Sequence, residues 1–247
     1  MNAYIYDDYL NKGRYRRALN RIEIRLTDLG LNGKIIRLGS IKNVRDVIQA
    51  EIKNGIKNII AVGNNETANK VIGAMITNKA YGFFQKDVLF SIIPIGDNNS
   101  IATSLGIKKE EDACNILLAR RIKQIDIGVA GNNIFLNKAE ITSSNAKVSI
   151  DEDYTLELTK KTTVKIVNLN DDLGLFCKDR IDPYDNHLNL VISGRGEDNT
   201  FLTSNNIKIS GEGELILDGS VAVPLPAEVG IIPQKINVIV GKERGFI

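Results

Sequence analysis

The chain has little cysteine and almost no histidine. Cys114 and Cys177 are its two cysteines and His187 its single histidine, in 247 residues. Two thiols cannot staple a chain of this length, so disulfides are not expected to hold the fold, and a reducing compartment fits. One histidine excludes a zinc site of the His/Cys type. A Ser-His-Asp triad would have to use His187, which has no nucleophile-elbow sequence to serve. No apolar run approaches the ~18 residues of an ordinary spanning helix. The start, Met1 to Asp8, has no basic region followed by an apolar one, so no secretory signal is expected and the expected location is cytoplasmic. Charge of one sign is scarce too. Lys plus Arg number 32 and Asp plus Glu 30, a net +2 that by itself argues for neither nucleic acid nor a membrane surface. Internal repeats and low-complexity tracts are absent.

What is present is globular in character. Hydrophobic residues make up 43% and charged residues 25%, which excludes global disorder. The length allows one large domain or two modest ones. In the first half, short apolar runs alternate with amphipathic stretches. Ala3–Tyr6, Lys34–Leu38, Asn58–Val62 and Val88–Ile95 read as strands. Tyr15, Leu19, Ile22, Leu26 and Leu29 form one buried helical face, stopped by Gly30. Val44, Val47, Ile48 and Ile52 form a second stripe, stopped by Gly55; further helices are predicted over 67–80 and 110–120. Strands alternating with helices predict a doubly wound parallel sheet, an α/β lobe over residues 1–123. Ligands bind such sheets outside the carboxyl ends of the strands. Two loops of unusual composition lie there: Gly63-Asn-Asn-Glu-Thr67 and Gly96-Asp-Asn-Asn99.

From about Gln124 the pattern changes. Ile125–Gly128, Asn133–Leu136, Lys147–Ile150, Thr162–Val167, Leu188–Ile192 and Ile207–Ile209 are short runs, many alternating, separated by turn clusters. They predict an all-β antiparallel sandwich or flattened barrel over 124–239.

The segment Pro94-Ile-Gly-Asp-Asn-Asn-Ser-Ile-Ala-Thr-Ser-Leu-Gly106 resembles the diacylglycerol kinase catalytic family. The family pattern there is Pro-x-Gly-Thr-Gly-Asn-Asp-Phe-Ala-x-x-Leu-Gly. Pro94, Gly96, Asn99, Ala102, Leu105 and Gly106 match it at every spacing. Gly63–Thr67 stands where the family has Gly-Gly-Asp-Gly-Thr, and Asn69-Lys-Val71 resembles its Asn-Glu-Val. Ile125-Asp-Ile-Gly128, Phe135-Leu-Asn137, Asp185-Asn-His-Leu-Asn189 and Leu217-Asp-Gly-Ser220 with the downstream Pro233 echo its later motifs in order. The stretch 142–175 carries no motif that matches.

The resemblance implies a nucleotide site in a cleft between two lobes, with ATP and Mg²⁺ as cofactors and a lipid hydroxyl as acceptor. It also implies that part of the tail 240–247 returns to the first lobe. Cofactor-binding positions carried over are Gly63, Asn64, Glu66, Thr67, Gly96, Asp97 and Asn99; catalytic positions are Asn65 and Asp218; the metal position is Asp185. Close-set glycines admit phosphate oxygens to backbone N–H groups, and a helix N-terminus beyond favours negative charge. A carboxylate then positions magnesium or takes the hydroxyl proton.

Several of these positions are substituted. The aspartate of the first loop is Asn65, its second and fourth glycines are Asn64 and Glu66, and Lys70 replaces the following glutamate. The second loop carries Asp97 and Asn98 in place of Thr and Gly, Ser220 stands where the family has its general-base glutamate, and Asp7–Gly13 replaces an Asn-Pro-x-Ser-Gly loop. Every change falls at the phosphate or at the proton, and loss of a general base costs ~10²–10⁴ in rate.

Three functions follow from this pattern: an ATP-dependent lipid kinase with a rearranged site, a catalytically silent relative that binds lipid or nucleotide and acts through a partner, and a structural subunit. The related NAD kinases share the first loop, which keeps another small hydroxyl compound open as ligand. The partners considered are therefore a lipid or other small hydroxyl-bearing ligand, an anionic membrane touched peripherally, and a second copy of the chain, but no nucleic acid. Arg14, Arg17, Arg21 and Arg25, spaced 3, 4 and 4, share one helix face, read either as an anionic-headgroup platform or as a solvated surface. Asp151-Glu-Asp153 and Asp171-Asp172 lack EF-hand spacing and read as turns. Cys114 and His187 read as a core and a surface residue respectively.

Overall fold

The computed structural model describes residues 1–39, 43–76, 88–151, 153–158, 160–169, 181–194 and 199–246. Asp171, Asp172, Cys177 and the last four residues of the helix predicted over 67–80 lie outside them. The chain forms two compact units. One comprises Met1–Gln124 with Ile236–Gly245, the other Ile125–Lys235 with Phe246.

In the first unit β1 (Asn2–Tyr6), β2 (Gly33–Arg37), β3 (Asn58–Gly63) and β4 (Leu89–Pro94) lie in the order β2-β1-β3-β4, all parallel. Beside β4 runs the end of the long last strand β16 (Ala227–Ile239), parallel at Asn237 and Val238. Every residue of β4 is buried, as expected where both sheet faces are covered. The helices cover them in two pairs. α1 (Arg16–Asp28) packs on α5 (Glu110–Ala119), and α2 (Val44–Lys53) on α3 (Asn65–Ile76), while the short α4 (Ser100–Ser104) follows β4. Right-handed crossovers require this, because α1 leads from β1 to β2 in one direction along the sheet and α2 leads back past β1 to β3.

Local chemistry sets the ends of these elements. Leu19, Ile22 and Leu26 are the buried stripe of α1, and Gly30 ends the turn after it at φ +66°. Asn43 caps α2, its Oδ1 accepting from Arg45 N at 3.0 Å. Two boundaries differ from the sequence reading. Tyr15 and Arg14 are not in α1. They belong to a 3-10 turn, Gly13–Tyr15, which follows another at Asp8–Asn11, so neither shares the helix faces assigned to them. α3 starts at Asn65, two residues before the predicted Thr67, because Asn64 supplies a cap inside the loop.

The second unit is the antiparallel sandwich expected of its pattern. One sheet runs β12-β11-β10-β7-β14-β15: β12 (Thr200–Ser204), β11 (Leu188–Gly194), β10 (Thr162–Val167), β7 (Lys138–Ser143), β14 (Glu214–Leu217) and β15 (Val221–Pro224). The other has β8 (Ala146–Ile150) between β9 (Tyr154–Leu158) and β13 (Asn206–Gly211), then the start of β16, with β5 (Ile122–Ala130) and β6 (Asn133–Phe135) alongside. Inward residues of both sheets make one core. Val148, Ile207, Ile209 and Val229 meet Val164, Ile166, Leu188, Leu190, Leu215 and Leu217. No helix among the described residues is long and apolar enough to cross a membrane.

At the β5–β6 hairpin Gly128 faces Phe135, and the fully buried ring lies over the glycine. A Cβ on Gly128 would stand 2.1 Å from Phe135 Cζ. Gly128→Ala is therefore expected to destabilise by about 2 kcal/mol, through overpacking. Thermal unfolding followed by circular dichroism should show the transition roughly 4–8 °C lower.

Candidate functional site

The strand order of the first unit reverses at β1, so the carboxyl ends of β1 and β3 flank the switch point where open α/β sheets hold ligands. Three segments converge there. Asp7 follows β1 and donates its N–H to Val62 O at 3.3 Å. Gly63–Thr67 follows β3, and Gly63 O accepts from Ile95 N, at the start of the segment after β4, at 3.0 Å. A side chain at Gly63 is excluded by Thr67, whose Oγ1 stands 2.3 Å from where a Cβ would be.

Asn65 ties the loop after β3 to the loop after β4. Its backbone N–H donates to Asn98 O at 2.8 Å, its Nδ2 to Ser100 Oγ at 2.9 Å, and its Oδ1 accepts from Ile101 N at 3.1 Å. The side chain is buried, 1% exposed. Asn98 takes the left-handed backbone needed to present its carbonyl, at φ 60°. The neighbouring Asn64 acts locally. Its Oδ1 accepts from Thr67 N at 3.3 Å and caps α3.

Two carboxylates next to this tie, Asp7 and Glu66, share one cation, Lys70. The Thr67 hydroxyl lies 2.7 Å from Asp7 Oδ2 and 3.3 Å from Asn64 Oδ1, so its one proton goes to the aspartate. Lys70, one turn further along α3, stands 2.7 Å from Glu66 Oε1 and 3.9 Å from Asp7 Oδ2. Glu66 is half-exposed and Asp7 largely buried, so the cation serves the buried carboxylate from its wet side.

Gly96 is approached by two tyrosines of the same unit. Tyr9 OH and Tyr15 OH stand 3.3 and 3.4 Å from the position of a Cβ on Gly96. Tyr9 donates to Ile95 O at 2.6 Å, and the two rings meet edge to face at 5.5 Å. Arg14 lies over the Tyr15 ring at 4.5 Å and donates to its hydroxyl. Burial pushes the Tyr9 phenol up, and the Asp7 carboxylate and Tyr15 add to this. The Thr67 side chain and the Asn64 backbone act against it. Tyr9 therefore stays protonated and serves as donor. Asn99 donates to Gly96 O at 2.6 Å and keeps its Oδ1 buried without a partner, while Asp97 is exposed.

Two other predicted residues lie in the second unit. Asp218, 1% exposed and at φ 47°, sits in a nest of three successive backbone donors. Its Oδ2 accepts from Leu136 N, and its Oδ1 from Asn137 N and Lys138 N, each at 2.9 Å. Asp185 lies on an exposed turn, with Oδ1 accepting from His187 N at 2.8 Å. His187 Nδ1 is 2.7 Å from Asp185 O, and since a carbonyl can only accept, that nitrogen carries the proton. Asp126, fully buried on β5, accepts from Asn186 N at 3.0 Å and holds the same turn.

The structure thus brings together Gly63, Asn64, Asn65, Glu66, Thr67, Gly96 and Asn99 in one unit, with Asp97 at its margin. Asp7, Tyr9, Tyr15 and Lys70 join them although sequence reasoning gave them no site role. In the sequence Lys70 stands out only as a substitution, Asp7 and Tyr9 lie in the Asp7–Gly13 segment that replaces a family loop, and Tyr15 reads as part of a buried helical face. Asn168 was missed as well. Fully buried, it donates to Asp126 O at 2.9 Å and Leu136 O at 2.8 Å from within the stretch without a matching motif. Magnesium does not fit at Asn65, a neutral amide whose two polar atoms are both engaged. Asp185 is a carboxylate on an exposed turn, chemically suited to an ion that retains most of its waters. Among the described residues no three His, Cys, Asp or Glu side chains converge as metal ligands.

Two of the four arginines proposed for a headgroup platform are used between helices. Arg21 pairs with Glu110 at 2.8 Å and Glu111 at 3.3 Å, and Arg25 donates to Asn115 at 2.9 Å. The Cys114 thiol is buried and pushed up by that burial.

Comparison with known proteins bears on both units. The fold is shared with diacylglycerol kinase structures from Bacillus anthracis str. Sterne. One superposes with a TM-score of 0.75 at 16% identity over 98% of this chain and 97% of the other. A second, described as a putative diacylglycerol kinase, reaches 0.78 at 15% identity over the same shares. A probable lipid kinase, YegS-like, from Pseudomonas aeruginosa (strain UCBPP-PA14) is 26% identical over 97 residues. That match takes in 39% of this chain and 30% of the relative, less than a third of its length. The model of the diacylglycerol kinase catalytic domain matches residues 4–130, which hold the whole switch-point cluster, and the chain belongs to that family.

Proposed function

We propose that this family member is catalytically silent: it retains the lipid kinase fold, binds a phosphate-bearing or small hydroxyl-bearing ligand at the loops after β3 and β4, and acts through a partner. The observation that carries this reading is Asn65. A carboxylate buried to the same depth would need a cation, and in an active kinase magnesium answers that need. The amide meets the same loop with one acceptor and one donor and needs no counter-charge. The loops are thereby closed on each other by neutral hydrogen bonds, without the charge that would call a metal in.

Asp218 supports the reading from the second unit. As a general base it would need an oxygen open to a substrate proton. All three donors of the Leu136–Lys138 turn point at it, so we assign it to holding that turn. ATP and magnesium, if they bind, would meet Asn64, Thr67 and Asn99 as hydrogen-bonding groups. The adenine nucleotide would bring a transferable phosphoryl group, and on this reading neither Asn65 nor Asp218 drives its transfer.

A second reading is favoured by Asp7. A largely buried carboxylate hydrogen-bonded to Thr67 stands beside the first loop, where a displaced metal ligand could act. Assay of phosphate transfer from Mg-ATP to diacylglycerol in mixed micelles separates the two. We expect no transfer above the protein-free rate. Clear turnover that disappears in Asp7→Asn would establish the active reading instead.

The role given to Asp218 has its own consequence. Asn can replace only one of its oxygens and turns an N–H₂ toward a backbone N–H. Asp218→Asn should destabilise by about 3 kcal/mol, the scale of a lost hydrogen bond to a charged group plus an unsatisfied donor. A melting temperature lower by roughly 6–12 °C is expected. A change under about 2 °C would speak for a functional carboxylate in place of a structural one.

A further inference from the structure

The value of glycine in a phosphate-binding loop is that another group can come close to its backbone. At Gly96 that close approach is already made by the chain itself. The hydroxyls of Tyr9 and Tyr15 occupy the space above the glycine, at 3.3 and 3.4 Å from a Cβ position, with Tyr9 Cε2 also at 3.4 Å. The Tyr9 hydroxyl is fixed by its 2.6 Å bond to Ile95 O, the residue before Gly96. Ile95 N in turn donates to Gly63 O, at the start of the loop after β3, at 3.0 Å. The phenol is therefore bonded to the residue that joins the two loops a phosphate would have to touch.

The two rings hold each other. They meet edge to face at 73°, a favoured aromatic geometry, and Arg14 covers the Tyr15 ring. The backbone beneath them is anchored by Leu10, 1% exposed. The segment Asp8–Tyr15 is thus pinned at Leu10, and the smallest movement that uncovers Gly96 is a change of side-chain rotamer at Tyr9 and Tyr15.

We propose that Tyr9 and Tyr15 are a built-in plug of the phosphate-binding loops, and that a phosphate group enters only when both side chains swing off Gly96. The inference rests on the reading of these loops as a phosphate site, but not on the absence of phosphate transfer. A site open for only a fraction of the time binds its ligand more weakly by that fraction, so removing the plug raises affinity without any new contact to the ligand. The plug acts on the phosphate end of a nucleotide and leaves recognition of the nucleoside unchanged.

Isothermal titration calorimetry of the full chain with Mg-ATP, and separately with adenosine, tests this. Tyr9→Ala/Tyr15→Ala is expected to bind Mg-ATP at least about tenfold more tightly than the unaltered protein, with adenosine unaffected. Equal or weaker Mg-ATP binding in a variant that still melts cooperatively overturns the plug, as does an equal gain for adenosine, which would mean only a larger hollow. Should the double variant not fold, Tyr9→Phe keeps the ring and removes the bond to Ile95. It is expected to gain about threefold in Mg-ATP affinity, and no gain overturns the proposal. Phosphate transfer assayed on the same proteins keeps the two readings apart. Turnover would end the silent reading and leave the plug standing, whereas unchanged affinity without turnover would do the reverse.

Discussion

The buried amide of Asn65 is the constraint around which the first unit's ligand edge is arranged. A parallel sheet delivers its strands' carboxyl ends to loops whose polar groups have no neighbouring strand to pair with. Here the loops after β3 and β4 satisfy each other through one side chain that offers both a donor and an acceptor, to Ser100 Oγ and Ile101 N, while its own N–H takes Asn98 O. Because the link is neutral, it holds without a metal or a substrate. The left-handed turn at Asn98 and the Asn64 cap of α3 both follow from that closed arrangement.

Around this neutral centre two carboxylates share one lysine. Asp7 is held by Thr67 and approached by Lys70, and Lys70 also holds Glu66. The reversal of charge at Lys70 compensates for the carboxylate that Glu66 adds at a position of the loop where the family has glycine. These substitutions, read singly, look like losses. Taken together in space, Glu66, Lys70, Asp7 and Thr67 form one network of ion pairs and a hydrogen bond.

The second unit applies a different solution to a similar problem. The turn between β6 and β7 exposes three successive N–H groups, and Asp218 reaches them from the left-handed turn after β14. Asn168 closes the same region from β10's side by donating to Leu136 O and Asp126 O.

The sequence by itself determined the order of architecture, parallel α/β and then antiparallel β, because periodicity 3.6 against 2 and the stops at Gly30 and Gly55 are local properties. It also determined the family, through Pro94, Gly96, Asn99, Ala102, Leu105 and Gly106 at fixed spacing, and it located the two loops at strand ends. β7, β9, β12, β14, β15 and β16 were not legible, since short strands such as Glu214–Leu217 owe their state to cross-strand neighbours far along the chain. Only the tertiary structure decided what the site residues do. Whether Asn65 is a failed metal ligand or a tie depends on Ser100 and Ile101, 35 and 36 residues away. Whether Asp218 is open depends on the turn at Leu136–Lys138, about 80 residues away. Tyr15 read as part of a buried helical face and stands instead over Gly96, because a 3-10 turn, whose backbone bonds form only with the segment in place, ends before α1 begins. Hydrogen-bond partners are chosen by proximity in space, and spacing along the chain carries no record of it.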